Sequence, residues 1–287
     1  MTVGNLLVGG VLAALIAVVA SRARALAPSG ALAAFVVGTL TFASGGIGFT
    51  LVLLAFFVPS IALSRIGRAR KKELVDVGKH GARDAMQVLA NGSVATACAV
   101  AFAFTHDVRW ALAFCGAYAA ATADTWATEI GTLARRTPRS ILTLRPVPTG
   151  LSGGITLPGT LAEVAGAGWI GLITPPAVVL AYLLTTDRFG FSVANGANLE
   201  LVLLFAAVPL GGIAGATLDS ILGAAAQELR FCETCGRTCE TDPHVCGNRT
   251  RLVRGVRGFS NDLVNLLATV AGAAVAFGLA SAAAHRF

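Results

Sequence analysis

A chain of 287 residues with 55% hydrophobic and 13% charged side chains lacks the polar surface of a water-soluble domain, in which about a quarter of residues are charged. The same figures exclude intrinsic disorder, which goes with few apolar residues. The net charge of +7 lies almost wholly in loops, where basic residues orient a membrane chain and meet anionic lipid, so it calls for no nucleic-acid partner.

The chain reads as an all-α, polytopic helical membrane protein, its 33 glycines suiting close helix packing in lipid. In chain order the apolar runs predict about eight spans, near 3–20, 30–44, 47–64, 85–105, 109–130, 160–184, 199–225 and 260–284. The second and third are short and divided by SGGIG (Ser44–Gly48), which predicts two short spans or a re-entrant helical hairpin. VVA before Ser21 resembles a cleavage site, but positive charges follow the first run and do not precede it, which fits a retained helix. Residues 1–287 form one integral membrane domain, in which 228–258 is a Cys-rich loop and not an independent domain.

Lys and Arg set the orientation. Nineteen of the 22 fall in one set of connections, from Arg22 to Arg24, Arg65 to Arg83, Arg135 to Arg145 and Arg230 to Arg257; the other set holds only Arg109, Arg188 and Arg286. The first set is expected in the cytoplasm and both termini outside, in a bacterial or archaeal-type cytoplasmic membrane.

Polar side chains inside spans are costly, so their placement carries information. Arg83, Gln87 and Asn91 stand at i, i+4 and i+8 on the fourth span. On the fifth, Asp124 pairs with Thr128 and Thr125 with Glu129. On the seventh, Asp219, Gly223 and Gln227 repeat the spacing, beside Ser220. On the eighth, Asn261 and Asn265 share a face, with Ser260 or Asn261 as N-cap. All lie toward the cytoplasmic ends. Amides alone are as well explained by hydrogen bonding between helices. The acids Asp124, Glu129 and Asp219, at the depth of Lys79 and Arg83, suit Mg²⁺ with phosphates, because Mg²⁺ takes one or two carboxylates plus substrate oxygens and the cations supply countercharge. The loop from Pro138 to Thr160, with Gly153 and Gly154, offers backbone N–H groups before a helix and reads as a phosphate cradle or a flexible connection.

Cys232, Cys235, Cys239 and Cys246, with His244 among them, are spaced for a structural zinc knuckle, for reduced thiols or for redox chemistry. Cys98 and Cys115 lie in spans as small apolar residues. There is no G-x-x-x-x-G-K-[ST], which excludes a P-loop enzyme, and no G-x-S-x-G elbow for a Ser–His hydrolase.

The ordered motifs QVLANG (Gln87–Gly92), ADTWATEIG (Ala123–Gly131), TGLSGGITLPGT (Thr149–Thr160), LDSILGA (Leu218–Ala224), Cys246-Gly247 and NDLVN (Asn261–Asn265) resemble the transmembrane protein 19 family, which includes a plant phytyl-phosphate kinase. The resemblance implies phosphorylation of an isoprenyl monophosphate to the diphosphate at a membrane surface, from a nucleoside triphosphate such as CTP or ATP. The expected catalytic set is Asp124, Glu129, Asp219, Lys79 and Arg83, with the three acids on Mg²⁺. The expected substrate-binding set is Gln87, Asn91, Thr125, Thr128, Gly153, Gly154, Ser220, Gln227, Asn261 and Asn265. The active site is expected at the cytoplasmic face, with the prenyl tail among apolar helices; a homo-oligomer is compatible with the sequence. A transporter or flippase of a phosphorylated lipid or small anion, and a CTP-dependent lipid nucleotidyltransferase, are the competing readings.

Overall fold

The computed structural model describes residues 1–67, 81–184 and 198–284. Lys79, Arg188 and Arg286, and the basic residues from Arg68 to Lys72, lie outside the described residues. Among those described, the helices are α1 (Val3–Arg22), α2 (Pro28–Arg65), α3 (Ala85–Thr105), α4 (Val108–Gly131), α5 (Leu157–Leu184), α6 (Asn198–Ala225) and α7 (Asn261–Ala284). Six of them, all but α4, are long and apolar enough to cross a membrane.

The second and third predicted spans are one element. α2 is interrupted at Gly46, whose φ of 58° and ψ of −146° lie outside helical space, in a region open to glycine. Ser44 approaches Met1 (Oγ to Sδ 3.7 Å). Arg65 Nη2 donates to the Ala23 carbonyl at 3.0 Å, and Ala27 N donates to Arg83 O at 2.9 Å. The two arms of α2 therefore run out from the Ala23–Ala27 end of the bundle and back to it. The eight predicted spans become seven described helices, one of them a hairpin.

α4 is the axis. Every residue from Leu112 to Ala123 is buried, and the run is rich in alanine because its neighbours are helices and not lipid. Small residues let those neighbours close in. A Cβ on Gly116 of α4 would stand 2.6 Å from the Gly272 carbonyl of α7, and one on Gly215 of α6 would stand 2.5 Å from Ala120 Cβ and from Ala268 O. At the far end Phe49, Phe102 and Phe114 join α2, α3 and α4, the rings of Phe49 and Phe114 stacking at 4.2 Å.

At the Ala23–Ala27 end the connections carry short strands, a local departure from an all-helical chain. β1 (Arg139–Ser140) pairs antiparallel with β2 (Gly154–Ile155). In the Cys-rich loop β3 (Leu229–Cys232), β4 (Arg237–Cys239) and β5 (Arg251–Arg254) form an antiparallel sheet in the order β4-β3-β5. Alternating burial along β3 turns Arg230 and Cys232 inward, the period-two pattern of a strand. Arg230 fastens the loop, donating to Glu228 at 2.7 Å, Asp242 at 2.9 Å and Thr250 Oγ1 at 2.7 Å. Ser260 caps α7, its Oγ accepting from Leu263 N at 3.4 Å.

Candidate functional site

The last turns of α4 and α6, the first turns of α3, α5 and α7 and the loop between β1 and α5 enclose a cavity of about 560 Å³ at the Ala23–Ala27 end. α3 begins with a capping box: Asp84 Oδ1 accepts from Gln87 N at 3.0 Å, and Gln87 Oε1 accepts from Asp84 N at 3.1 Å. This box fixes Arg83, whose backbone pairs with Ala25 and Ala27 and whose guanidinium lies 5.9 Å from the Phe56 ring centre. Burial pulls the Arg83 pKa below the usual guanidinium range, opposed by the charge of Glu129. Asn91, one turn further, donates to Gln87 O at 3.0 Å.

α4 contributes Asp124, Thr125, Thr128 and Glu129 to the lining, α6 contributes Asp219 and Ser220, and α7 contributes Asn261 and Asn265. The carboxyl groups of Asp124 and Asp219 lie close to each other across two helices. Asp219 Oδ2 is buried and has no hydrogen-bond partner. Glu163 of α5, accepting from Thr217 Oγ1 at 3.0 Å, faces this pair. Glu129 lies near both Arg83 and Asp124.

The Gly-rich loop forms one wall through Gly153 and Gly154. Gly153 has φ +79°, and a Cβ there would stand 2.5 Å from Ala224 N, so only glycine lets the loop rest on the end of α6. Behind it Gln227, 2% exposed, donates through Nε2 to Ser152 Oγ at 2.9 Å and to Glu240 Oε2 at 2.6 Å. Glu240 Oε1 also accepts from Ser152 N at 3.3 Å. Burial pushes the Glu240 carboxyl up to about 7, against the pull of its hydrogen bonds and of Arg254.

The structure thus brings thirteen of the fifteen residues expected at the site to one cavity. Gln227 is a correction: it lies behind the loop and holds it, because α6 ends at Ala225 and the helical i+8 extrapolation from Asp219 fails there. Lys79 lies outside the described residues. Gln87 lines the cavity with its carbonyl oxygen already used by the cap, which the D-x-x-Q spacing signals. Glu163 and Glu240 were missed. Glu163 is an acid in an apolar run, the same signal that singled out Asp124; Glu240 is hidden in sequence among cysteines. In the Cys-rich loop the donor atoms of Cys232, Cys235, His244 and Cys246 lie within 4.8 Å of one another. Cys239 does not join them, and its Sγ turns to Thr241 O at 3.5 Å.

The donor set fits a hard divalent cation. Five carboxyl groups (Asp124, Glu129, Glu163, Asp219 and Glu240) face three guanidinium groups (Arg24, Arg65 and Arg83) among the described lining residues. A buried pair of acids with an orphaned oxygen is an oxygen-rich site of the kind Mg²⁺ takes.

Fold and site together define an integral membrane protein built as a helical bundle with an acid-lined cavity at one end. The chain belongs to the family described as Integral membrane protein DUF92, whose pattern matches residues 11–273. It is 30% identical over 272 residues to Protein PGR of Arabidopsis thaliana, covering 90% of each chain. It is 33% identical over 225 residues to an uncharacterized membrane protein of Methanocaldococcus jannaschii, covering 78% of this chain and 84% of that one. It is 34% identical over 174 residues to Protein VTE6, chloroplastic, of Arabidopsis thaliana, covering 55% of this chain and 51% of that one. No solved structure matches.

Proposed function

We propose that the protein is a membrane-embedded kinase that phosphorylates an isoprenyl monophosphate to the diphosphate at the cytoplasmic face. The observation that carries the reading is the contact of Asp124 with Asp219 in a polar cavity that adjoins an apolar slot. That slot, of about 70 Å³, lies among α1, α2, α3 and α4, is lined by residues such as Leu12, Phe42, Phe57 and Tyr118, and shares Arg83, Gln87 and Asn91 with the cavity. Such a pair of spaces suits an amphiphile with an anionic head and an apolar tail. The transmembrane protein 19 resemblance supports the same substrate class.

The acceptor phosphate is already an anion, so the site needs no general base. Its oxygen attacks the γ-phosphorus of the nucleoside triphosphate, the bond from that phosphorus to the β–γ bridging oxygen breaks, and nucleoside diphosphate leaves. Asp124 and Asp219 would hold Mg²⁺, with Glu163 facing them from α5; the ion supplies charge neutralisation between the two anions. Glu129 acts on both Arg83 and Asp124, where it would serve as a third metal ligand or set the charge around Arg83. Arg83, with Arg65 and Arg24 at the mouth, binds phosphate oxygens. Thr125, Thr128, Ser220, Asn261 and Asn265 orient them by hydrogen bonds.

Asp124, Asp219 and Glu163 stand six or seven residues from their helix ends, about 10 Å along the axis. That depth favours an interfacial enzyme over a carrier, whose site would lie near the midplane. The test is purified protein in lipid nanodiscs with prenyl monophosphate and γ-labelled CTP or ATP. Labelled prenyl diphosphate is expected. Pyrophosphate release with a nucleotidyl lipid would overturn the reading in favour of a nucleotidyltransferase, and vectorial movement of unchanged substrate in proteoliposomes would do so in favour of a transporter.

A further inference from the structure

We propose that Cys232, Cys235, His244 and Cys246 form a structural Zn²⁺ site, and that this site fixes the loop carrying Glu240. The proposal does not rest on the phosphotransfer reading. The four donors come from two turns of like construction. Cys232-x-x-Cys235 is followed by Gly236 at φ +65°, whose N–H donates to Cys232 O at 2.9 Å; His244-x-Cys246 is followed by Gly247 at φ +85°, whose N–H donates to His244 O at 2.8 Å. Each glycine lets its turn fold back on itself, so that two donors project to one side. Strand pairing of Cys232 with Arg237 sets the first turn at the end of the β3–β4 hairpin. The ladder of Arg230, Asp242 and Thr250 sets the second against it.

The distances select the chemistry. Cys232 Sγ and Cys246 Sγ are 3.6 Å apart, and His244 Nδ1 is 3.1 Å from Cys246 Sγ. A disulfide requires about 2.05 Å. Ligands about 2.3 Å from a tetrahedral zinc are separated by roughly 3.8 Å, and the two sulfurs stand close to that edge length. Three thiolates and one imidazole form a soft set that suits zinc and repels Mg²⁺ or Ca²⁺. Four protein donors close the coordination shell, which assigns a structural role and no catalytic one. Cys239 is excluded by its own orientation.

The site does what the loop cannot do by packing. Its strands are four, three and four residues long, too short to bury a core of their own. The segment from Cys239 to Pro243 spans the gap between the two ligand turns, and within it Glu240 reaches Ser152 and Gln227 under the Gly-rich loop. The Cys239 end of this segment is held by the pairing of β4 with β3 and the Asp242 end by Arg230 and Thr250. The metal would add a tie between the two ligand turns that flank it.

The test uses the full-length protein purified in detergent from zinc-replete cells. Elemental analysis is expected to give about one zinc per chain. The fraction is expected to fall to background in His244→Ala and Cys246→Ser and to stay at the wild-type level in Cys239→Ser. Size-exclusion profiles and helical circular dichroism show whether each variant keeps the bundle. Replacement by Co²⁺ reads the geometry without mutation: tetrahedral d–d absorption with thiolate charge-transfer bands is expected in wild type and in Cys239→Ser. Absence of zinc together with a Co²⁺ spectrum lacking these bands would overturn the proposal. A disulfide among these cysteines found by mass spectrometry of natively alkylated protein would also overturn it, as would loss of zinc in a folded Cys239→Ser.

Discussion

Asp124 on α4 and Asp219 on α6 bring their carboxyl groups together, and Oδ2 of Asp219 is buried with no hydrogen-bond partner. Two acids brought together in a bundle interior repel each other, and an unpaired charge there is expensive. A bound divalent cation would offset both costs at once.

Asp124→Asn and Asp219→Asn are therefore expected to abolish transfer while leaving the bundle folded. The loss should be about a hundredfold or more, the scale on which removal of one preorganised electrostatic group is felt. Mg²⁺ at about a hundred times its dissociation constant should stabilise the wild type by about 2.7 kcal/mol. The variants should lose that increment in thermal melts. Full activity in both variants would end the metal assignment.

Glu240 should make the protein less stable as pH rises. Its carboxyl is raised to about 7 in the fold from about 4.3 in an unfolded chain. The folded state then holds the proton more tightly, so its contribution is complete below about pH 4.3 and is lost as pH rises through 7, by roughly 4 kcal/mol. Glu240→Gln should remove this slope. Melts of wild type and variant at pH 5 and pH 8 check it, and parallel curves would refute the assignment.

Gly153→Ala should dislodge the loop. A Cβ there would stand 2.4 Å from Ala224 Cβ, at a backbone φ of +79°, a cost of about 1–3 kcal/mol. Proteolysis within 149–154 should accelerate, with the apparent affinity for nucleotide reduced. Unchanged cleavage would show that the loop has another seat.

Gly92→Val should discriminate substrates by tail. Gly92 lines the apolar slot, and added carbon there meets Val37 at 3.2 Å and the Tyr118 hydroxyl at 3.7 Å. Transfer to a long prenyl phosphate is expected to fall about tenfold or more relative to a short-chain analogue. An equal fall for both would place the tail elsewhere.

The expected helical residues at the cavity were legible because each is a polar group at helical spacing in an apolar run, and lipid makes such groups conspicuous. Glu163 obeyed that rule, with Thr160 one turn before it, but it lies at the start of its helix and not near the end as Asp124 and Asp219 do. Gln227 obeyed the spacing but not the structure, since the helix stops at Ala225 and the residues beyond it no longer share its faces. Cys239 had the composition of a ligand and the wrong direction; His244 had the right one.

Composition, hydropathy and the asymmetry of basic residues determined by themselves that this is a helical membrane bundle with its polar groups at one end, because a bilayer permits few alternatives for backbone and charge. Which acids meet was decided only by the tertiary structure. Asp124, Glu163 and Asp219 lie on separate helices, and their approach depends on how closely glycine and alanine allow those helices to cross. The same holds for Glu240, which reaches the site through a sheet whose pairing no helical period foretells.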